Sequence, residues 1–318
     1  MSGNLALIVD QTGATLERGT HGTVVLVHAD GRRERIGLRA LGSVVLYGNV
    51  NLSTGVLHAL SVSNIALTML PVRGHLPYTG FSQLSCRHAT LRHQQHLAYA
   101  ESSSRINLAR RVVQAKLESM AAFARDYSST KADEYYHSMQ AMVCAGDIAS
   151  LMGVEGAATL KHFGILAELF EQDGSFRFVK RSRQPPEDAV NAMMSLSYTM
   201  AQSLAVQLIL HAGLDVQVGF LHGIHRDRPS LALDLIEPAR AELDAWIFSL
   251  LRQSRVIKPA MFSQREDGSV WLTKEGRAQF YPAWYREGFR IALKPMRQLM
   301  AGMLAALRSQ RSFSAAEV

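Results

Sequence analysis

Between Pro71 and Ala89 the hydrophobic pattern of the chain changes its period, and this change limits the possible folds more than any other feature of the sequence. Before it, from Leu5 to about Leu70, β-branched clusters alternate with turn signals such as Gly13, Ala29-Asp30-Gly31 and Tyr47-Gly48-Asn49. That pattern predicts strands near Leu5–Val9, Val24–His28, Arg35–Leu38, Val44–Leu46 and Ile65–Met69. Ser53 is placed to cap a short helix through Ser63, with Leu57 and Leu60 toward the sheet. After the change, strand signals nearly vanish. Helical periodicity runs through Ile106–Tyr127, Thr130–Leu151, Val154–Phe170, Glu187–His211, Leu231–Leu251 and Ala283–Arg308. Gly74, Pro77, Gly80 and scattered serines interrupt every period in between. The expected fold class is α+β: a β-rich N-terminal domain over residues 1–75, a linker over 76–90, and a larger all-α C-terminal domain over 91–318 with a frayed tail from Ser309.

Composition narrows the classes of function. At 318 residues and 47% hydrophobic the chain has material for a real core and is no disordered scaffold. Its 34 basic against 27 acidic residues leave a net charge of +7, which suits a polyanionic partner without requiring one. Cys86 and Cys144 are the only cysteines and lack the paired spacing of a zinc or redox motif, so a reducing compartment is expected. Met1–Asp10 has no basic n-region, and the best apolar run, Leu204–Gly213, is short and contains Gln207 and His211. A cytoplasmic protein with no membrane partner is the expectation.

The chemistry concentrates in Gly219–Glu237. This stretch holds His222, a basic loop with Arg226 and Arg228, and then Asp234 and Glu237, three residues apart and so on one face of a helix among Leu231, Leu233, Leu235 and Ile236. Burying two carboxylates there is unfavourable unless a cation or hydrogen-bond donors compensate. Imidazole and carboxylate ligands flanked by arginines suit a hard divalent ion and phosphodiester chemistry. The plainer readings stay open: a hydrogen-bonded core histidine at His222, and a salt bridge from Glu237 to Arg240 or Arg228. Pro238 lies in the same helix and predicts a kink there.

A three-ligand site needs another carboxylate. Glu155 is the best candidate, read at a helix start between Gly153 and Gly156, where a first-turn glutamate is also favoured by the helix dipole. Arg177, Lys180, Arg181 and Arg183, four charges in seven residues, either track a phosphate backbone or form a solvated loop. Tyr198 either meets DNA or is a core tyrosine with a bonded hydroxyl. Arg110, Arg111 and Lys116 form a positive strip, read as an exposed helix face.

Several segments occur together in a specific order: Gly48-Asn49-Val50-Asn51-Leu52-Ser53, the basic helix Arg105–Lys116, Gly153-Val154-Glu155-Gly156, Arg181-Ser182-Arg183-Gln184-Pro185-Pro186-Glu187-Asp188-Ala189-Val190-Asn191, Leu196-Ser197-Tyr198, Gly213-Leu214-Asp215 with Gly219-Phe220-Leu221-His222, and Ser230–Glu237. In these the chain resembles the CRISPR-associated endonuclease and integrase family, the larger protein of the adaptation module that inserts new spacers. The resemblance implies a β-rich dimerisation domain and a helical domain holding one Mg2+ or Mn2+ ion on Glu155, His222 and Glu237, with Asp234 a supporting member of the catalytic set. It implies metal-dependent DNA nuclease and integrase activity, with Arg181, Arg183, Arg226, Arg228 and Tyr198 toward DNA. The implied partners are double-stranded DNA (donor fragment and CRISPR repeat), a second copy forming a homodimer, and a small ferredoxin-like protein of the same module bridging two dimers. One departure is Ser119, where members often carry asparagine three residues after the lysine at Lys116. The competing expectations are a non-catalytic DNA-binding subunit and a metal-dependent phosphoesterase with a closed pocket and little salt dependence.

Overall fold

The structure, a computed structural model, describes residues 5–63, 65–70, 79–81, 89–127, 129–171, 175–183, 185–226, 228–253 and 256–314. Cys86, Gln184, Asp227 and most of the expected linker lie outside these residues. The chain divides into two compact units, Met1–Ser85 and Cys86–Val318.

In the first unit the β-branched clusters form β1 (Leu5–Val9), β2 (Thr15–Arg18), β3 (Thr23–Val27), β4 (Arg33–Gly37), β5 (Leu41–Tyr47), β6 (Asn51–Leu52), β7 (Ala66–Leu70) and β8 (Thr79–Phe81), with helix α1 (Thr54–Val62) between β6 and β7. One sheet has the order β1-β5-β7-β8, its first three strands parallel and β8 antiparallel to β7. The other has the order β4-β3-β2-β6, an antiparallel meander with β6 parallel to β2. Val44, Val45 and Leu46 of β5 are all buried, as expected of a strand covered on both faces. Leu16, Val24 and Leu26 share a core with Leu41, Val44, Leu46 and Leu67, closed by Val56 and Leu60 of α1. Ser53 takes the N-cap position, but Val56 joins Leu60 as a fully buried residue while Leu57 is partly exposed. β2, β6 and β8 were not among the expected strands. β2 carries a single aliphatic residue, Leu16, too little to reveal an alternation, and β8 occupies the stretch expected to be linker.

The second unit contains α2 (Ala89–Ala100), α3 (Ser102–Tyr127), α4 (Ser129–Ala132), α5 (Glu134–Cys144), α6 (Ile148–Glu171), α7 (Ala189–Ala212), α8 (Ser230–Ile236), α9 (Arg240–Phe248), a hairpin of β9 (Phe262–Gln264) and β10 (Val270–Leu272), α10 (Lys274–Ala283) and α11 (Phe289–Ser314). α3 is central: Ile106, Ala109, Val113, Leu117, Met120 and Ala124 recur at helical spacing, are buried, and face α5, α6, α9 and α11.

Four expectations are corrected here. The helix expected over Thr130–Leu151 is divided among α4, α5 and the start of α6. Because α6 starts at Ile148, Glu155 lies two turns inside it, beyond the reach of the helix-dipole benefit expected at a helix start. α11 continues to Ser314 where fraying was expected from Ser309. α7 is long and apolar enough by composition to cross a membrane, although no such run was expected. It nevertheless buries Asn191, Ser197 and Gln207 and packs on α8, α9 and α11, as a core helix does. At Pro238 the α-helical ladder does break: α8 ends at Ile236, a 3-10 turn covers Glu237–Ala239, and α9 begins at Arg240.

Candidate metal centre

α7 stops at Gly213, whose left-handed backbone (φ 78°) closes the last turn and lets Leu214 N–H donate to Ile209 O. The loop that follows is held from outside. Buried Gln95 of α2 donates to Asp215 O (2.9 Å) and Val218 O (2.8 Å) and accepts from Asp215 N–H (2.7 Å). At Gly219 a Cβ would meet His222 O at 2.5 Å and the Ser230 carbonyl carbon at 2.6 Å, so the chain crosses itself where only glycine fits.

Asp234 of α8, fully buried, gathers the next three residues. Its Oδ2 accepts Phe220 N–H (2.6 Å) and Leu221 N–H (3.1 Å), and its Oδ1 accepts His222 N–H (2.9 Å). The same Oδ1 lies 2.8 Å from His222 Nδ1. A carboxylate can only accept, so Nδ1 carries a proton, and in the neutral imidazole Nε2 is the nitrogen with the lone pair. Burial pushes the His222 pKa down, but the bond and charge of Asp234, with the charge of Glu237, outweigh it and raise it above 6.5.

One turn on, Glu237 sits in the 3-10 turn that Pro238 enforces and is also buried. Its Oε1 accepts from Arg240 Nε (3.0 Å), and Lys116 Nζ lies 2.6 Å from its Oε2 without the alignment of a good hydrogen bond. Burial alone would raise the Glu237 pKa; Arg240, Lys116 and His222 together hold it at about 2. Lys116 is itself buried on α3, and its ammonium also donates to Glu155 Oε1, which takes a second bond from Thr159 Oγ1 (2.9 Å). Two carboxylates from distant parts of the chain therefore meet at one positive point.

The side chains proposed from sequence are thus only partly brought together. Glu155 and Glu237 share a cation, while His222 is tied to Asp234 and coupled to Glu237 by charge. Among the described residues no three His, Cys, Asp or Glu side chains are gathered as tightly as a bound ion needs. Between the two glutamates stands the ammonium of Lys116. The donor types still fit a hard divalent ion, because Glu237 Oε2 is buried without an aligned donor and neutral His222 offers Nε2.

Further out, the Arg240 guanidinium lies 4.6 Å from the Tyr198 ring centroid, and Tyr198 Oη donates to Asp244 (2.6 Å), whose other oxygen lies 2.8 Å from His162 Nε2. Tyr198 is a core tyrosine with a bonded hydroxyl, held well above its usual pKa by burial. Arg181 donates to Asn191 Oδ1 (2.8 Å), Ser195 Oγ (3.0 Å) and the Ser182 carbonyl, and burial lowers its pKa. Arg228 donates to Gly223 O (2.7 Å) and Ser230 Oγ (3.2 Å). These two arginines hold loops; Arg183 and Arg226 are exposed. The salt bridge from Glu237 goes to Arg240, not Arg228. Sequence reasoning also misplaced Lys116, read as part of an exposed face. Its spacing from Val113 and Met120 puts it in the buried stripe of α3, a signal that its basic neighbours obscured.

The architecture has close relatives. The CRISPR-associated endonuclease Cas1 1 of Thermodesulfovibrio yellowstonii is 30% identical over 281 residues, covering 85% of this chain and 87% of that protein. A solved CAS1 protein from Thermotoga maritima superposes with a TM-score of 0.84 at 24% identity, over 96% of this chain and 97% of its own. A casposase bound to integration product has the same fold, with a TM-score of 0.80 at 18% identity over 96% of this chain and 91% of its own. With the family profile of CRISPR associated protein Cas1 matching residues 7–286, across both units, the chain belongs to the Cas1 family.

Proposed function

We propose that this chain is a divalent-metal-dependent DNA endonuclease and integrase that inserts short DNA fragments as new spacers into a CRISPR array. The observation that carries this reading is the meeting of Glu155 and Glu237 at one cationic point, next to a histidine whose tautomer is set by Asp234. Membership of a family whose relatives are named endonucleases, and the fold shared with a casposase bound to integration product, support phosphodiester chemistry.

Glu155, Glu237 and His222 Nε2 would hold Mg2+ or Mn2+, which supplies Lewis acidity at a scissile phosphate and offsets the charge of its pentacoordinate transition state. Asp234 occupies Nδ1 of the imidazole and so leaves Nε2 as the nitrogen that would bind the ion. Arg240 stays on the outer oxygen of Glu237 and prevents the carboxylate from rotating. Arg183 and Arg226 are exposed and suited to DNA phosphates. The nucleophile is a DNA 3′-hydroxyl in integration and water in nuclease action. By the same resemblance the protein works as a homodimer with the small ferredoxin-like partner in the cytoplasm.

Supercoiled plasmid and a short duplex donor, with Mg2+, Mn2+ or chelator and with or without the partner, test the proposal. Integration products dependent on metal and lost in His222→Ala, with DNA binding retained, are expected; activity unchanged by that substitution sinks the site. A second reading has its own observation. Lys116 and Arg240 already neutralise Glu155 and Glu237, as they would in a non-catalytic DNA-binding subunit. That reading predicts DNA binding without strand transfer under every metal condition.

A further inference from the structure

Lys116 is more deeply buried than an ordinary surface lysine, and it is the only residue whose positive head touches both carboxylates of the candidate centre among the described residues. The remaining partners differ in kind. Thr159 holds Glu155 with a neutral hydroxyl, and Arg240 holds Glu237 with a guanidinium packed against the Tyr198 ring. A guanidinium fixed by an ion pair and a ring face is a permanent part of the wall. A lysine head rides on a flexible four-carbon stem and makes a point-like contact that can be given up.

An ion within reach of both Glu155 Oε1 and Glu237 Oε2 would sit where the ammonium now sits, because that ammonium already lies against both oxygens. Two cations cannot share that buried position, since their repulsion in a weakly screened interior is large. We propose that Lys116 is the resident cation of the Glu155–Glu237 pair, and that a divalent ion binds by exchange with its ammonium. This rests on the metal reading above and adds that metal loading is opposed by a residue of the chain itself. The ammonium keeps the two carboxylates from repelling each other, and its withdrawal opens both to the ion.

Isothermal titration of the full chain with Mn2+ alone tests the exchange, using the unaltered protein, Lys116→Met, Lys116→Arg and His222→Ala. Lys116→Met removes the competitor and is expected to bind Mn2+ roughly tenfold tighter or more, whereas Lys116→Arg keeps a positive charge and gains nothing. Equal or weaker binding by folded Lys116→Met overturns the proposal. If that variant does not fold, crystals of the unaltered protein grown with Mn2+ decide. An anomalous peak bonded to both glutamates with Nζ moved away supports exchange; Nζ still between them with the ion elsewhere overturns it. The two readings fail separately. Mn2+ that binds no form of the protein removes the metal reading and this one with it, while His222-dependent binding indifferent to Lys116→Met removes only this one.

Discussion

Asp234 and Glu237 are both buried carboxylates, one turn apart and flanking the same break in a helix, yet they are satisfied in opposite ways. Asp234 takes three backbone N–H groups and an imidazole, all within one loop. Glu237 takes two cationic side chains from two helices, and one of its oxygens lacks an aligned donor. Backbone donors cannot leave without unfolding the loop; side-chain cations can. A carboxylate saturated by the main chain is therefore committed to structure, and one held by side chains remains open to exchange with another cation.

The contrast can be broken at either end. The largest effect is expected from Asp234→Ala, which strands two buried N–H groups and a part-buried third and should lower stability by about 3–5 kcal/mol. A calorimetric melt checks this, and a shift worth less than about 1 kcal/mol would mean that the loop is held elsewhere. Glu237→Gln should invert the pattern, reducing strand transfer by roughly 100-fold or more while disturbing the melt less than Asp234→Ala does. Paired integration and unfolding measurements on both variants place the two carboxylates on separate axes.

Gly219→Ala sharpens the loop side of the comparison. Its new Cβ would strike backbone at His222 and Ser230, so a loss of about 2 kcal/mol is expected, with a fall in integration as His222 shifts. Acid titration sharpens the other side. The Glu237 pKa is depressed in the fold, from 4.5 to about 2, so its contribution is complete above about 4.5 and is lost as pH falls toward 2. Glu237→Gln should flatten the acid unfolding profile in that window, as read by circular dichroism. The smallest effect separates the arginines: Arg183→Ala should leave stability within about 0.5 kcal/mol and reduce the salt slope of DNA binding by about 1. Arg181→Ala should instead lower stability and leave that slope alone, since its donors are used inside the protein.

The division into a β-rich and a helical part was legible because periodicity is a local property: Val44-Val45-Leu46 reads as a buried strand and the stripe Ile106 to Ala124 as a buried helix face. The break at Pro238 was legible for the same reason. β2, β6 and β8 were not, since two to four residues carry too little pattern and gain their pairing from strands elsewhere in the sequence. The start of α6 was missed because helical signals on either side of residues 145–147 merged into one run. Tyr198, Arg181 and Arg228 were assigned to DNA by type and position; the fold spends their polar atoms on Asp244, Asn191, Ser195 and Gly223.

By itself the order of residues determined the division into a β-rich and a helical part, the longer elements with a regular period, which segments carry histidine and carboxylate, and the family resemblance, because each follows from spacing along the polymer. Tertiary structure alone decided that Lys116 turns inward to join Glu155 and Glu237, and that Asp234 serves the loop while Glu237 faces the cation. Those assignments depend on which donors arrive from distant helices and whether water can replace them. Neither is encoded in a residue's neighbours along the chain.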